Sequence, residues 1–580
     1  MNEHHYRWRN KELREHVSVI DGLLAPTLLL TNAVYLNVFL KKWMKANIWI
    51  YKDRIVYVGE RMPGNTSGME TVDCQGKFVV PGYIEPHAHP FQLYNPHQLS
   101  EYVSQTGTTT LMNDNLIWLY LLERKKAFTL LDKFMDLPVS MYWWARFDSQ
   151  SSLQDELEIF NNAQVLAWLE HEAVVQGGEL TSWPQVLEDD DRILYWMQES
   201  KRLGKPIEGH FPGASEHTLA KMKLLGASAD HESITGKEVY DRLQMGYQVG
   251  LRYSSIRPDL PKLFAEIKEL GIDNFDQLTM TTDGSTPSFY EHGMMNQCIK
   301  IALEQGVPAE DAYMMASYNA AKHFNMRDRL GSIAPGQVAH LNILEAKDNP
   351  DPVSVIAKGQ WIKKEGQLVD QEHAIDWSNY GIGKLALDWD LHEGDLQFSL
   401  PIGLEMVNDV IIKPIALTID VTVEEIENNY EEAFLMLVNR EGKWRVNTVI
   451  KGFTNRLGGL VSSYSNTGDI VVIGKHKHDL LLAFQRMKEI GGGIVLAHKG
   501  KIIFELPLAL AGMMFEGKME DLMEKEKTLK KILKEYGYQF DDPVYNLLFL
   551  SSIHLPFIRI TPNGIMDVKK KEVLFPAIMR

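Results

Sequence analysis

Eight short apolar runs, each followed by a stretch long enough to hold a helix, constrain this chain more than any other feature. They are KFVVPGYIE, GTTTLMND, PVSMYWWA, AVVQGGE, KPIEGH, GASADHE, YQVGLRY and LTMTTDG, and they lie between Lys77 and Gly284. Amphipathic segments such as Ser215 to Leu225 and Lys237 to Met245 separate them. Strand material alternating with helix is the pattern of βα units around a parallel sheet. Eight such units over about 255 residues, Lys77 to Leu330, match the size of a TIM-like (β/α)8 barrel. The competing arrangement is a doubly wound open sheet.

The flanks read differently. TLLLTNAVYLNV and ANIWIYKDRIVYVGE precede the runs, and LGSIAPGQVAHLNILE and VSVIAKGQWIKKEGQ follow them. All four carry β-branched and aromatic residues between turn formers, as short sheets do. The sequence therefore predicts an N-terminal extension over 1–26, a composite β-domain from 27–80 plus 331–370, a metallo-hydrolase barrel over 81–330 and a C-terminal α+β domain over 388–580. In that last unit WRVNTVIKGF, GDIVVIG and GGIVLAHKGKIIFELPL read as strands, with helices near Asp479 to Glu489 and Met519 to Tyr536. Met1 to His16 is polar and lacks the apolar stretch of a secretory signal. Thr27 to Leu40 is too short to cross a bilayer, which needs about 20 apolar residues.

Composition narrows the chemistry. A net charge of −17 disfavours a polyanionic partner, so no nucleic-acid or membrane partner is expected. Two cysteines, Cys74 and Cys298, are too few and too far apart for a disulfide framework or a CxxC site, which suits the cytoplasm. The 19 histidines remain, so any transition-metal site must be imidazole and carboxylate.

Active sites of such barrels gather at the C-terminal ends of the strands. His87 and His89 follow the first run, Glu179 ends the fourth, His210 the fifth, His231 the sixth and Asp283 the eighth. Residues two apart on extended chain face the same way, so His87 and His89 can reach one ion. The six side chains suffice for two adjacent cations bridged by one carboxylate, a pair that lowers the pKa of bound water and acts as a Lewis acid. Asp283 can carry a proton from nucleophile to leaving group, and it and Glu179 are the catalytic candidates. Asp283 in TTDG also reads as a turn or helix-cap residue, Glu179 as a loop acid, and His210 as a capping or core histidine. Glu85 can orient ligands from behind. Phe91, Trp143, Trp144, Arg146 and Phe211 are either stacking and binding groups for a planar heterocycle or barrel-rim core.

VPGYIEPHAHP, GGE, EGHFPG, ADHE and TTDG, followed by LGSIAPGQVAHLNIL, resemble the metal-dependent amidohydrolase superfamily and, within it, the adenine deaminases, most of all their bacillus-type subgroup. The resemblance extends to VIKGF and MKEIGGGIVLAHKGKIIFELPLALAGMM of the C-terminal unit. It implies a binuclear centre of two divalent ions, manganese in the first instance with iron or zinc as alternatives. His87, His89, Glu179, His210, His231 and Asp283 are the implied ligands, and hydrolysis of adenine to hypoxanthine and ammonia the implied reaction. A small purine substrate and a homo-oligomer are expected. The chain departs from the family pattern at three places. Pro90, Phe91, Gln92 and Leu93 replace Ile-Glu-Ser-Ser after the HxH. Asp114, Asn115, Leu116 and Ile117 replace Asp-Pro-His-Glu, and Ser463, Tyr464, Ser465, Asn466 and Thr467 replace His-Asp-Ser-His-Asn.

These departures leave the ligand set whole and touch groups near the pocket, where hydrogen-bond partners decide between related substrates. The alternatives are therefore an amidohydrolase acting on another aminated heterocycle, a cyclic amide or an N-acyl bond, and a binding or regulatory homologue with little catalysis. The zinc deaminases with a PCxxC motif are excluded by the cysteine count.

Overall fold

The structure, a computed structural model, describes residues 9–370 and 373–580, so the first eight residues of the predicted extension lie outside it. Its centre is an eight-stranded parallel sheet: β1 (Tyr83–Ala88), β2 (Thr108–Asp114), β3 (Ser140–Ala145), β4 (Val174–Leu180), β5 (Ile207–Gly209), β6 (Ala229–Asp230), β7 (Gln248–Arg252) and β8 (Leu278–Thr281). Each strand pairs in parallel with the next in sequence. All eight are buried along their whole length, as strands covered on both faces must be. The intervening helices start on capping side chains: Asp190 accepts from the amides of Arg192 and Ile193, and Thr235 forms a capping box with Glu238. Ile193, Trp196 and Met197, spaced three and four apart, form the inner face of the helix Asp191–Arg202.

A carboxylate spans the seam between β8 and β1. Glu85, fully buried on β1, accepts from the Thr281 hydroxyl (2.6 Å), the Thr282 amide (2.9 Å), the Thr282 hydroxyl (2.8 Å) and its own strand's His87 amide (3.0 Å). Its role is thus to join the first strand to the last and to fix the turn that carries Asp283.

The first run proves to be two strands. Phe78–Pro81 belongs to a nine-stranded flanking sheet, where it pairs antiparallel with Leu341–Leu344, and β1 begins two residues later. Gly82 makes the corner, because a Cβ there would collide with Thr109 and His340. The flanking sheet takes Leu28–Asn37, Lys42–Tyr51, Arg54–Gly59 and Glu70–Asp73 from before the barrel, and the strands between Leu341 and Leu368 from after it.

A second nine-stranded sheet, with strands between Ile402 and Met579, dominates the C-terminal unit. Its strand Glu432–Val438 alternates between two cores. Phe434, Met436 and Val438 pack with Leu480, Phe484 and Met487 of the helix Lys477–Ile490. Ala433, Leu435 and Leu437 join the core that continues into the barrel.

Candidate metal centre and active-site cavity

His87 lies within β1 rather than after it, and His89 follows one residue beyond the strand. The structure brings all six ligand candidates together in three overlapping groups: His87, His89 and Glu179; His87, His231 and Asp283; and Glu179, His210 and His231. Within each group one ligand atom per residue lies within 4.8 Å of the others. Glu179 joins two of them. Its Oε1 faces His210 Nδ1 at 2.8 Å and His231 Nε2 at 3.6 Å, while Oε2 faces His89 Nε2 at 3.8 Å. Asp283 Oδ1 faces His89 Nε2 at 3.2 Å and His87 Nε2 at 3.4 Å.

Asp283 sits in the left-handed region with φ 49°, which aspartate tolerates better than most residues. A turn at TTDG and a ligand role for Asp283 are therefore compatible. Its amide donates to the Thr281 hydroxyl at 3.1 Å, and Gly284 lets the chain pass against His89 where a Cβ would clash.

The strand ends that lacked a ligand candidate contribute charge. Asp114, ending β2, meets His89 Nδ1 at 2.8 Å. Arg146, following β3, grips Asp114 through Nε (2.9 Å) and Nη2 (2.5 Å), and its Nη2 also reaches Glu179 Oε2 at 3.0 Å. Arg252, ending β7, contacts Asp283 Oδ2 at 2.7 Å and Glu232 Oε1 at 2.5 Å. Glu208 accepts from His231 Nδ1 at 3.0 Å. Burial opposes ionisation of Asp114, but the Arg146 and His89 charges overcome it and hold the carboxyl at about 2. Glu232 is held at about 2 in the same way, burial being outweighed by His210, Arg252 and Arg257. Burial and the neighbouring His231 push His87 down to about 4, which keeps a neutral imidazole available as a ligand.

The donor set fits divalent cations. Both ring nitrogens of His87, Nδ1 of His210 and Nε2 of His231 are buried without a hydrogen-bond partner. Unpaired buried polar atoms are costly, and the three that converge on carboxylates, Nε2 of His87, Nδ1 of His210 and Nε2 of His231, fit metal ligation. Two histidines carry a carboxylate behind the ring, His89 through Asp114 and His231 through Glu208, the arrangement that fixes ligand orientation.

A cavity of about 270 Å³ opens above this cluster. Phe91 and Arg146 line it, but three other predicted binding residues do not. Trp143 packs into the core against Trp118 and Phe134. Trp144 stacks on the His87 ring at 4.4 Å, beneath the ligands. Phe211 is buried against Trp183 and Tyr247. Alternation explains Trp143 and Trp144, because neighbours on a strand face opposite sides and neither side of β3 faces the mouth. The far wall comes from the C-terminal unit, with Val410, Asn466, Tyr545, Phe549 and His554 among its residues.

Sequence reasoning missed Glu208, Glu232, Arg252, Arg257 and, apart from the departing loop that carries Asn466, this wall. Glu232 directly follows His231, and Arg252 ends the seventh run, so the strand-end rule could have found both had it been extended from ligands to their charge partners. Beyond that loop, nothing local marks the C-terminal wall.

A model of the amidohydrolase family matches residues 78–362, and a model of the adenine deaminase C-terminal domain matches residues 409–572. The chain is 58% identical over 573 residues to a protein of Oceanobacillus iheyensis provisionally named an adenine deaminase, covering 99% of both chains. It is 53% identical over 580 residues to a Bacillus subtilis protein with the same provisional name, covering 100% of both. An adenine deaminase of Leuconostoc citreum is 27% identical over 558 residues, 92% of this chain and 96% of the other. Barrel, C-terminal unit and full-length relatives agree: the chain belongs to the adenine deaminase family of the metal-dependent amidohydrolases.

Proposed function

We propose that this protein is a hydrolytic deaminase that converts adenine and water to hypoxanthine and ammonia, with two divalent ions, manganese in the first instance, at the cluster described above. The observation that carries the reading is the overlap of three ligand groups on Glu179, His87 and His231 beneath a base-sized cavity. His87, His89 and Asp283 would hold one ion, His210 and His231 the other, with Glu179 between them. Bound there, the ions would supply Lewis-acid activation of water and of the carbon attacked. Asp283, clamped through Oδ2 by Arg252, takes the proton of the attacking water and passes it to the leaving amine. Arg146 and Gln150 hold Oε2 of Glu179 and keep that carboxylate in its place between the two groups. The apolar walls, Leu116, Ile256, Val410 and Phe549 among them, exclude water from the heterocycle. Both cysteines are free and buried, which fits the cytoplasm, where we place the enzyme.

A second reading, another aminated heterocycle as preferred substrate, is favoured by Phe91, Gln92 and Asn466. All three stand at departures from the family pattern and all three line the cavity. Ammonia release from a panel of aminated purines and pyrimidines, after reconstitution with manganese, tests both. Turnover of adenine above the other bases supports the first reading, and a reversed order supports the second. Ammonia from none of them, with ring-opening of a cyclic amide, would sink deamination altogether.

A further inference from the structure

We infer that His554, carried to the barrel mouth by the C-terminal unit, is a substrate-binding residue whose imidazole hydrogen-bonds the heterocycle; this rests on the deaminase reading above.

The C-terminal unit presents three polar side chains to the cavity among the described residues: Asn466, Tyr545 and His554. Tyr545 is committed to the protein, and Asn466 is held by one long hydrogen bond that leaves its Oδ1 free for other contacts. Tyr545 donates its hydroxyl to the Gly284 carbonyl at 2.7 Å, and Asn466 donates its amide to the Ser149 carbonyl at 3.5 Å. His554 is half-buried: Nδ1 is enclosed by the protein with no hydrogen-bond partner, and Nε2, also without one, is the nitrogen left accessible to the cavity. The ring stands edge-on to His210 at 5.4 Å and to Phe549 at 5.8 Å, so it lies at the boundary between the ligand cluster and the apolar wall.

The segment that carries it is fixed at several points. Ile553 donates its amide to the Gln150 carbonyl at 2.9 Å, and the Ser151 hydroxyl donates to the Ser551 carbonyl at 2.8 Å. Asn563 donates to the Ser152 hydroxyl at 2.8 Å. Arg559, fully buried, donates to the carbonyls of Ser552 (3.0 Å) and Val410 (2.7 Å). The neighbours Ile553, Leu555, Pro556 and Phe557 are apolar, so His554 is the one hydrogen-bonding side chain in this stretch. With the backbone held at these points, the accessible Nε2 is placed to pair with a bound heterocycle, which would offset the cost of an imidazole without partners in an apolar wall. A neutral imidazole donates at one nitrogen and accepts at the other, which complements an aromatic heterocycle bearing ring nitrogens and N–H groups.

The test uses the full-length, manganese-loaded enzyme with His554→Leu and His554→Gln. Steady-state ammonia release is measured on the best base of the panel, with calorimetric binding of hypoxanthine, manganese content and melting midpoint alongside. The leucine variant is expected to raise KM, and to weaken hypoxanthine binding, by about tenfold or more, as loss of a hydrogen bond to substrate does. Manganese content and midpoint stay unchanged, and the glutamine variant, which keeps a donor and an acceptor, recovers most of the loss. If the leucine variant fails to fold, His554→Phe serves in its place. An active wild type whose apolar variants bind and turn over as it does overturns the role of His554 alone. A wild type that releases ammonia from no heterocycle and does not bind hypoxanthine overturns the deaminase reading and this inference with it.

Discussion

Arg146 holds two carboxylates at once, and among the described residues neither has an ion pair with another arginine. Replacing it with methionine keeps most of the volume but leaves Asp114 and Glu179 buried without their cation. Losing one partner of a buried ion pair costs about 3–5 kcal/mol, so urea denaturation of chelator-treated Arg146→Met is expected to show a loss of that order. Manganese should reduce the deficit, because the ions take over the neutralising role. A second expectation concerns Asp283, where asparagine preserves the shape but cannot accept the proton. For Asp283→Asn, kcat should fall by about 10²–10⁴-fold with circular dichroism unchanged, and undiminished turnover would refute the assigned base. The six ligand candidates were legible because strand ends could be read from periodicity and chemistry from residue type. Arg146 was legible as a cavity residue but not as a clamp, since its partners depend on the register of β2, β3 and β4.

Strands and helices were legible where period decides, and misread where a corner decides. The run KFVVPGYIE reads as one strand because the break at Pro81 and Gly82 interrupts no apolar pattern, only the direction of the chain. The turn after β8 offers a test of the Glu85 seam. Glu85→Ala removes the acceptor for Thr281, Thr282 and the His87 amide, and should destabilise by roughly 2–4 kcal/mol, as loss of several buried hydrogen bonds does. Thermal unfolding checks it, and an unchanged midpoint would dismiss the seam. In the C-terminal sheet, Asp469 precedes the strand Ile470–Gly474, where burial raises its carboxyl to about 6 against the pull of Thr467, Arg440 and Asn439. The folded form then binds the proton more tightly than the unfolded chain, whose value is about 3.8. Stability from this group is full below that lower value and is lost as pH rises through about 6. Asp469→Asn should therefore flatten stability between pH 4 and 6 and, on the order of 2–3 kcal/mol, favour the variant at pH 8. Urea midpoints across that range measure it; a wild type more stable than the variant at pH 8 would contradict it.

At the level of the whole molecule, the eight-unit barrel and the composite sheet could be anticipated, whereas the placement of the C-terminal unit over the barrel mouth could not. Its contacts join Ser151 to Ser551, and no pattern within a window of sequence reports a pairing 400 residues apart. The core that runs unbroken from barrel to C-terminal sheet predicts cooperative behaviour. Calorimetry should show barrel and C-terminal unit melting in one transition, and manganese should move that transition upward through ligand linkage. Two well-separated transitions would show that the shared core does not couple them. The distance between Ser151 and Ser551 also has a temporal meaning. At synthesis rates of about 5–20 residues per second, the wall that closes the cavity leaves the ribosome roughly 20–80 s after the loop that receives it. The last ligand candidate, Asp283, is made 271 residues before His554, so for roughly 14–54 s of that interval the imidazoles and carboxylates of the strand ends stand without His554 beside them. The ligand cluster is thus synthesised in full before the wall that lines its cavity is complete.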